Sequence, residues 1–281
     1  MQIIEKRKIF YIISLIIIIP GIVSLFVQGL NLGIDFKGGS LLHYKIDAAV
    51  SAPDVRHALT ELDMSKGIEV QKSGDEFYIR TPELNQEQTQ AVTQKLNDSF
   101  KNVELLGAES VGATIGKEIT RDAFLSVLIA CVLILLYITV RFEFTFGLAA
   151  VMALLHDVMV VLGIFSIFQW EVNSAFIAAI LTVVGYSIND TIVIFDRIRE
   201  NLRMKRREDR PTLINRSIMQ TMNRSINTVL TTMLPLITLM LFGGASIKIF
   251  VLTMLIGFVC GTYSSIFIAS PLWYEMKTRA A

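Results

Sequence analysis

The residue with the clearest chemical potential is Asp190, a carboxylate inside an apolar run that is long enough to cross a bilayer. The run covers residues 178–195, and Asp190 lies several residues inside its end. A charged side chain at this depth costs roughly 2.5–3.5 kcal/mol on insertion scales, so it usually faces the interior of a helix bundle and has a function there. We therefore predict that Asp190 is a functional residue, and the alternative is a structural hydrogen bond.

Other polar residues could act together with Asp190. Arg224 lies near the start of the next apolar segment, at a depth that allows an Asp190–Arg224 pair across neighbouring helices. The alternative for Arg224 is a boundary arginine that extends to the membrane surface. Asn189 precedes Asp190, and His156 and Asp157 fall near the middle of the preceding segment. These three residues are weaker candidates, for a proton pathway or for packing.

The composition is that of an integral membrane protein. The chain has 281 residues, of which 53% are hydrophobic and 18% charged, and its net charge is +1. This balance does not fit one large soluble core, and nothing in it indicates a nucleic-acid partner. Cys131 and Cys260 both lie in apolar runs, so we expect neither a disulfide framework nor a thiolate metal site.

Motifs of known enzyme classes are missing from the sequence. His156 is the only histidine in an apolar segment, and no H-E-x-x-H metalloprotease motif is present. We find no serine or cysteine nucleophile motif with a nearby base and no glycine-rich phosphate loop. The sequence therefore predicts no enzymatic activity, no metal and no cofactor.

Six segments reach the length needed to span a bilayer. They cover residues 9–28, 122–140, 145–168, 174–195, 222–243 and 249–270. The first is too long for a signal peptide and is interpreted as a retained transmembrane helix. Gly257, Gly261 and Ser265 give the last segment a face of small residues, which predicts close helix packing.

The distribution of basic residues predicts the orientation. Lys and Arg are concentrated before residue 9 and in residues 196–221, whereas the connection 169–173 has none. Since short cytoplasmic loops are rich in Lys and Arg, we expect both termini in the cytoplasm and residues 29–121 outside. The chain is thus predicted to consist of residues 1–28 (N-terminus and helix 1), an extracytoplasmic domain (29–121) and helices 2–6 (122–281).

The basic segment 196–221 contains an amphipathic pattern. Leu213, Ile214, Ile218 and Met222 share one face, and Arg216 lies away from it. This pattern predicts a helix at the membrane surface. A basic loop that only fixes the topology is the alternative.

The predicted outer region, residues 29–121, has the pattern of a small α/β domain. Ser51 and Asp54 form a capping box before an apolar helix face that includes Val55 and Leu62. Residues 73–76 are typical of a hairpin turn, and Asn85 can cap a second helix. The resulting order β-α-β-β-α-β is the ferredoxin-like pattern, which many functions share.

Four motifs closely resemble the SecD/SecF family of bacterial protein export, and within it the smaller, SecF-type subunits. They cover residues 29–39, 155–158, 185–201 and 223–228. The resemblance extends over nearly the whole chain. It implies half of a resistance-nodulation-division (RND) bundle: six transmembrane helices with the small ferredoxin-like domain between helices 1 and 2.

The resemblance also implies a function and partners. In this family, SecD and SecF-type subunits assist the SecYEG channel and the SecA motor in the cytoplasmic membrane, and use the proton-motive force to complete export of preproteins. The matching residues here place Asp190 and Arg224 on the proton pathway and a domain hinge at Gly38 and Gly39. Exported preproteins and membrane lipids are then further partners. The alternatives are half of a proton-coupled RND exporter of lipids or small molecules, and a structural scaffold that would leave Asp190 unexplained.

Overall fold

A computed structural model describes residues 2–47, 49–60, 67–204 and 208–279. Leu62 of the predicted helix face and the basic residues 205–207 lie outside these ranges. The chain divides into two compact units. The helical unit comprises Met1–Asn31 and Phe124–Ala281, and the α/β unit comprises Leu32–Ala123.

The elements follow in order from the N-terminus. The chain begins with helix α1 (Arg7–Val27), followed by β1 (Asn31–Leu32), α2 (Ile34–Lys37), β2 (Gly39–Lys45), α3 (Ala52–Thr60), β3 (Glu69–Ser73), β4 (Glu76–Thr81), α4 (Gln86–Ser99) and β5 (Glu104–Val111). Then come α5 (Ala113–Arg141), α6 (Phe144–Phe168), β6 (Glu171–Val172), α7 (Ser174–Arg203), α8 (Arg210–Phe242), α9 (Ala245–Ser264), a π-helical segment (Ser265–Ala269) and α10 (Ser270–Arg279).

The α/β unit has the predicted ferredoxin-like fold. Its four strands form an antiparallel sheet in the order β3-β4-β2-β5. Alternate residues of the central strands are buried, with Leu42 opposite Ile79 and Tyr44 opposite Phe77. The apolar faces of α3 and α4 cover this side of the sheet. The period of two in the strands and of 3.6 in the helices therefore produces the core.

Both predicted helix caps are present. Asn85 Oδ1 accepts a hydrogen bond from Gln88 N at 2.8 Å, and Gln88 Oε1 accepts one from Asn85 N at 2.9 Å. At α3, Asp54 Oδ2 accepts a hydrogen bond from Ser51 N at 3.0 Å. The hydrogen bonds from Ser51 hold the pKa of the Asp54 carboxyl below its ordinary value, because they favour its charged form.

Six helical stretches of the described chain are long and apolar enough to cross a membrane. They are α1, α5, α6, α7, α8 and the continuous run Ser246–Thr278. All six predicted spans therefore correspond to helices. The face of small residues on the last span packs on α7, where a Cβ at Gly261 would lie 2.9 Å from Ser187 Cβ. Only glycine fits this close approach.

The structure differs from the sequence prediction over residues 196–221. Instead of a loop carrying a surface helix, α7 continues to Arg203 and α8 already begins at Arg210. The predicted apolar face forms, but Ile214 and Ile218 are buried against Phe195 and Ile198 of α7 within the protein. This apolar face is therefore covered by protein and contacts neither lipid nor water. α7 and α8 both continue beyond the predicted spans.

Candidate functional site

Asp190 lies on α7 with its carboxylate directed at α8. Ser225 Oγ donates a hydrogen bond of 2.6 Å to Asp190 Oδ1. The other oxygen, Oδ2, is buried and has no hydrogen-bond partner among the described residues. A buried carboxylate oxygen without a donor is costly. This oxygen therefore has unused hydrogen-bonding capacity inside the helix pair.

The structure does not form the predicted Asp190–Arg224 ion pair within the described chain. Arg224 is exposed. Successive residues of a helix point about 100° apart, and Ser225 rather than Arg224 faces α7. Sequence reasoning missed Ser225, although its position next to Arg224 in the motif 223–228 was a usable signal.

Polar residues surround Asp190 on the exposed side of helices α7 and α8. Asn189 on α7, and Arg224 and Asn227 on α8, are exposed in the isolated chain, while Asp190 is half-buried. We call these four residues the polar patch. The patch lies within two helices that qualify as membrane spans. Since polar groups in contact with lipid are costly, a membrane-inserted chain needs a protein surface over this patch.

A second polar cluster is centred on Asp157 of α6, which is 1% exposed. Its Oδ2 accepts hydrogen bonds from Ser187 Oγ of α7 at 2.8 Å and from Ser264 Oγ of α9 at 2.7 Å. Its Oδ1 lies 3.0 Å from His156 Nδ1. One buried carboxylate thus connects three spans.

The Asp157 cluster extends through His156 to the first span. His156 Nε2 lies 3.0 Å from Ser14 Oγ of α1. Next to it, Tyr263 of α9 stacks on His156 and donates a hydrogen bond of 2.8 Å to Phe10 O. We call Ser14, His156, Asp157, Ser187 and Ser264 the Asp157 network. It joins α1, α6, α7 and α9, although the sequence ranked His156 and Asp157 below Asp190.

The π-helical segment begins directly after Ser264. Ser265 Oγ lies 2.8 Å from Thr191 Oγ1, so two consecutive serines of the last span bond to groups on α6 and α7. Single π-turns inside α-helices are rare and are frequent at functional sites. Among the described residues, no group of three or more His, Cys, Asp and Glu side chains is placed to hold a metal ion.

Comparison with protein families decides the classification. Residues 91–279 match the family model described as protein export membrane protein SecD/SecF, C-terminal, and residues 23–50 match the SecD/SecF GG motif. The chain belongs to the SecD/SecF family. The resemblance predicted from the four motifs is therefore confirmed.

Similar proteins are found in several bacteria. The chain is 41% identical to protein translocase subunit SecF of Sebaldella termitidis, over 99% of this chain and 92% of the relative. It is 43% identical to the SecF subunit of Acidaminococcus fermentans, over 99% and 98%. These relatives are named as translocase subunits, which is a transport role.

A solved structure shows the same fold. The crystal structure of SecDF from Thermus thermophilus, described as a translocon-associated membrane protein, matches with a TM-score of 0.93 at 36% identity. The match covers 99% of this chain but only 39% of that chain. This chain, a member of the SecD/SecF family, therefore spans well under half of the length of that SecDF polypeptide. Together with its six apolar helices, the match identifies it as a multi-pass membrane protein.

Gly38 and Gly39 lie within the region that matches the SecD/SecF GG motif. Both have positive φ values, +77° and +126°, and Gly39 opens β2. A Cβ at Gly39 would lie 2.6 Å from the backbone oxygen of Thr81 on β4. The conformation and the close approach of β4 both require glycine at position 39. Its predicted role as a hinge stays a prediction.

Replacing Gly39 with alanine is expected to destabilise the α/β unit by about 3 kcal/mol, because backbone strain and a clash add together. Gly74→Ala is the matched control: φ is +70° there, but nothing lies within 4 Å of the added Cβ. We expect it to cost about 1 kcal/mol. Hydrogen exchange of the β2 and β4 amides in the intact chain measures both effects. Equal losses in the two variants would show that the contact with Thr81 does not matter.

Proposed function

We propose that this chain is a SecF-type translocase subunit that, together with SecD, uses the proton-motive force to assist export of preproteins through SecYEG after SecA-driven translocation. The observation that carries this proposal is Asp190, a membrane-span carboxylate with one oxygen held by Ser225 and the other buried without a partner. The decisive measurement is export by membrane vesicles with and without an imposed proton gradient.

The proton role of Asp190 is supported by the contacts of its carboxyl group. One oxygen accepts a hydrogen bond from Ser225, and the other is buried without a donor, so a bound proton would remove an uncompensated charge from the span. The basic Arg224 lies next to Ser225 on α8 and would oppose the negative charge when the proton leaves. A proton that crosses about 100 mV releases roughly 2.3 kcal/mol. That energy is sufficient to shift two conformations whose free energies differ by about one or two kcal/mol.

The same proposal places the chain in the bacterial cytoplasmic membrane with both termini in the cytoplasm. The basic residues at the N-terminus and in residues 196–221 support this orientation. The α/β unit is then extracytoplasmic, where emerging preproteins are available to it. Gly38 and Gly39 would act as its hinge. The names of the relatives favour transport over catalysis.

SecD is the proposed partner that covers the polar patch. Asn189, Arg224 and Asn227 of the patch are exposed in this chain, and the similar protein is named SecDF and is longer, since this chain covers 39% of it. A second set of helices supplied by SecD would remove Asn189, Arg224 and Asn227 from lipid.

Chemical labelling in membranes tests this interface. In a chain carrying Cys131→Ala and Cys260→Ala, we expect Asn227→Cys to react with a lipid-soluble maleimide when the chain is made alone. When SecD is co-produced, we expect about tenfold slower labelling. The control is Leu133→Cys on the largely exposed helix α5, where Leu133 is 60% exposed and labelling should not depend on SecD. Equal labelling of Asn227→Cys with and without SecD contradicts the proposed interface.

A further inference from the structure

A cavity of about 310 Å³ opens at the end of the helical unit where α5 and α7 end and α6 and α8 begin. Two types of side chain line it, basic and apolar, with a single acid. The lining residues are Phe142, Glu143, Phe146, Arg199, Leu202, Arg203, Arg210, Trp273 and Lys277. None of them belongs to the polar patch or to the Asp157 network.

The charge of this cavity is strongly positive. Four basic side chains and one carboxylate leave a net formal charge of +3. Lys277 Nζ donates to Glu143 Oε2 at 2.7 Å, and Arg199 donates to the backbone oxygen of Arg141 at 2.9 Å. In the part of the chain that the structure describes, Arg203 and Arg210 have no carboxylate at ion-pair distance. Two guanidinium groups are thus available for an anion.

The inner wall of the cavity is apolar and aromatic. Phe146 stacks on Trp273 with ring centroids 4.4 Å apart, and Phe142 and Leu202 continue this wall. Trp273 and Phe146 are 2% and 3% exposed, so the accessible part of this wall is formed mainly by Phe142 and Leu202.

We propose that this cavity binds the phosphate headgroup of an anionic phospholipid, with Arg203 and Arg210 on the phosphate and the lipid chains against the aromatic wall. Guanidinium groups bind phosphate through paired, charge-assisted hydrogen bonds. The cavity lies where α5 and α7 end and α6 and α8 begin, beside α10, and these helices belong to stretches long and apolar enough to cross a membrane. In a membrane-inserted chain this position corresponds to the headgroup region. Basic pockets between membrane helices are suited to such lipids.

Native mass spectrometry of the 281-residue chain, titrated with lipid in detergent, tests the proposal. The probes are phosphatidylglycerol, phosphatidylcholine with the same acyl chains, and inorganic phosphate. We expect phosphatidylglycerol to bind in preference to phosphatidylcholine. Arg203→Gln should weaken phosphatidylglycerol binding about fivefold, the equivalent of about 1 kcal/mol for one basic residue.

The matched control is Arg197→Gln. Arg197 lies on the same helix, six residues away, carries the same charge and pairs with Glu200 outside the cavity. We expect it to leave lipid binding unchanged. If both variants weaken phosphatidylglycerol binding equally, general surface charge explains the effect and the proposal is wrong. Equal binding of the two lipids, or displacement of phosphatidylglycerol by an equal concentration of inorganic phosphate, would overturn it as well. Because Arg203 is exposed, its replacement is not expected to prevent folding.

Discussion

Replacing Asp190 with asparagine is expected to abolish the response of protein export to an imposed proton gradient, while assembly with SecD is retained. Asparagine has nearly the same shape, and its carbonyl oxygen can still accept the 2.6 Å hydrogen bond from Ser225. The substitution removes the titration alone. Loss of function without loss of the complex would therefore assign the role to the proton.

Arg224→Met is expected to give the same loss by another route. Arg224 is the basic residue of the polar patch and lies next to Ser225, which bonds to Asp190. Without its positive charge, an ionised Asp190 would be an uncompensated charge within the span, which is costly, so we expect Asp190 to keep its proton. A site that keeps its proton cannot couple a gradient to export.

The measurement is preprotein export in inverted vesicles that contain SecD, at equal protein levels, with and without the gradient. Asp196→Asn is the matched control, because Asp196 lies on the same helix at the end of the span, 48% exposed and 3.6 Å from Arg141. It should respond as the unsubstituted chain does. If Asp190→Asn also responds normally, the carboxylate is structural and the proposed mechanism fails.

The helices and the α/β fold could be predicted from the sequence because each depends on a local pattern. Apolar runs of about 20 residues identify spans regardless of their neighbours. The alternation of buried and accessible residues in β2 and β4, and the cap at Asn85, are also patterns that a few neighbouring residues define. In residues 196–221 the local pattern identified the correct apolar face, but could not distinguish a lipid surface from the neighbouring helix as its partner.

The candidate site could be predicted only in part, because most of its contacts join residues that are far apart in the sequence. Asp190 is conspicuous because a carboxylate is rare in an apolar run, but Ser225 is an ordinary residue in a membrane helix. The Asp157 network brings together Ser14, Ser187 and Ser264, which lie up to 250 positions apart and on different spans. No sequence spacing relates them, and only helix packing makes them neighbours.

Asp157→Ala is expected to destabilise the helical unit by about 3–5 kcal/mol, because it removes one partner of a fully buried polar network. Ser187 Oγ, Ser264 Oγ and His156 Nδ1 would all lose their acceptor or partner. For a unit of this size, thermal unfolding in detergent should occur about 10 °C lower. Asp196→Ala, at an exposed position of α7, is expected to change stability by only about 0.5 kcal/mol.

The comparison of Asp157→Ala with Asp157→Asn shows what the network contributes. Asparagine keeps an oxygen for the hydroxyl groups of Ser187 and Ser264, so we expect it to recover much of the stability that alanine loses. The ring of His156 lies between Ser14 and Asp157, at 3.0 Å from each, so its position also depends on this carboxylate. If Asp157→Ala is as stable as the unsubstituted chain, the four helices do not depend on this network. If it is unstable while Asp190→Asn is stable, the two carboxylates have separate roles: Asp157 of α6 holds α7 in place through Ser187, whereas the charge of Asp190, three residues further along α7, is not needed for folding.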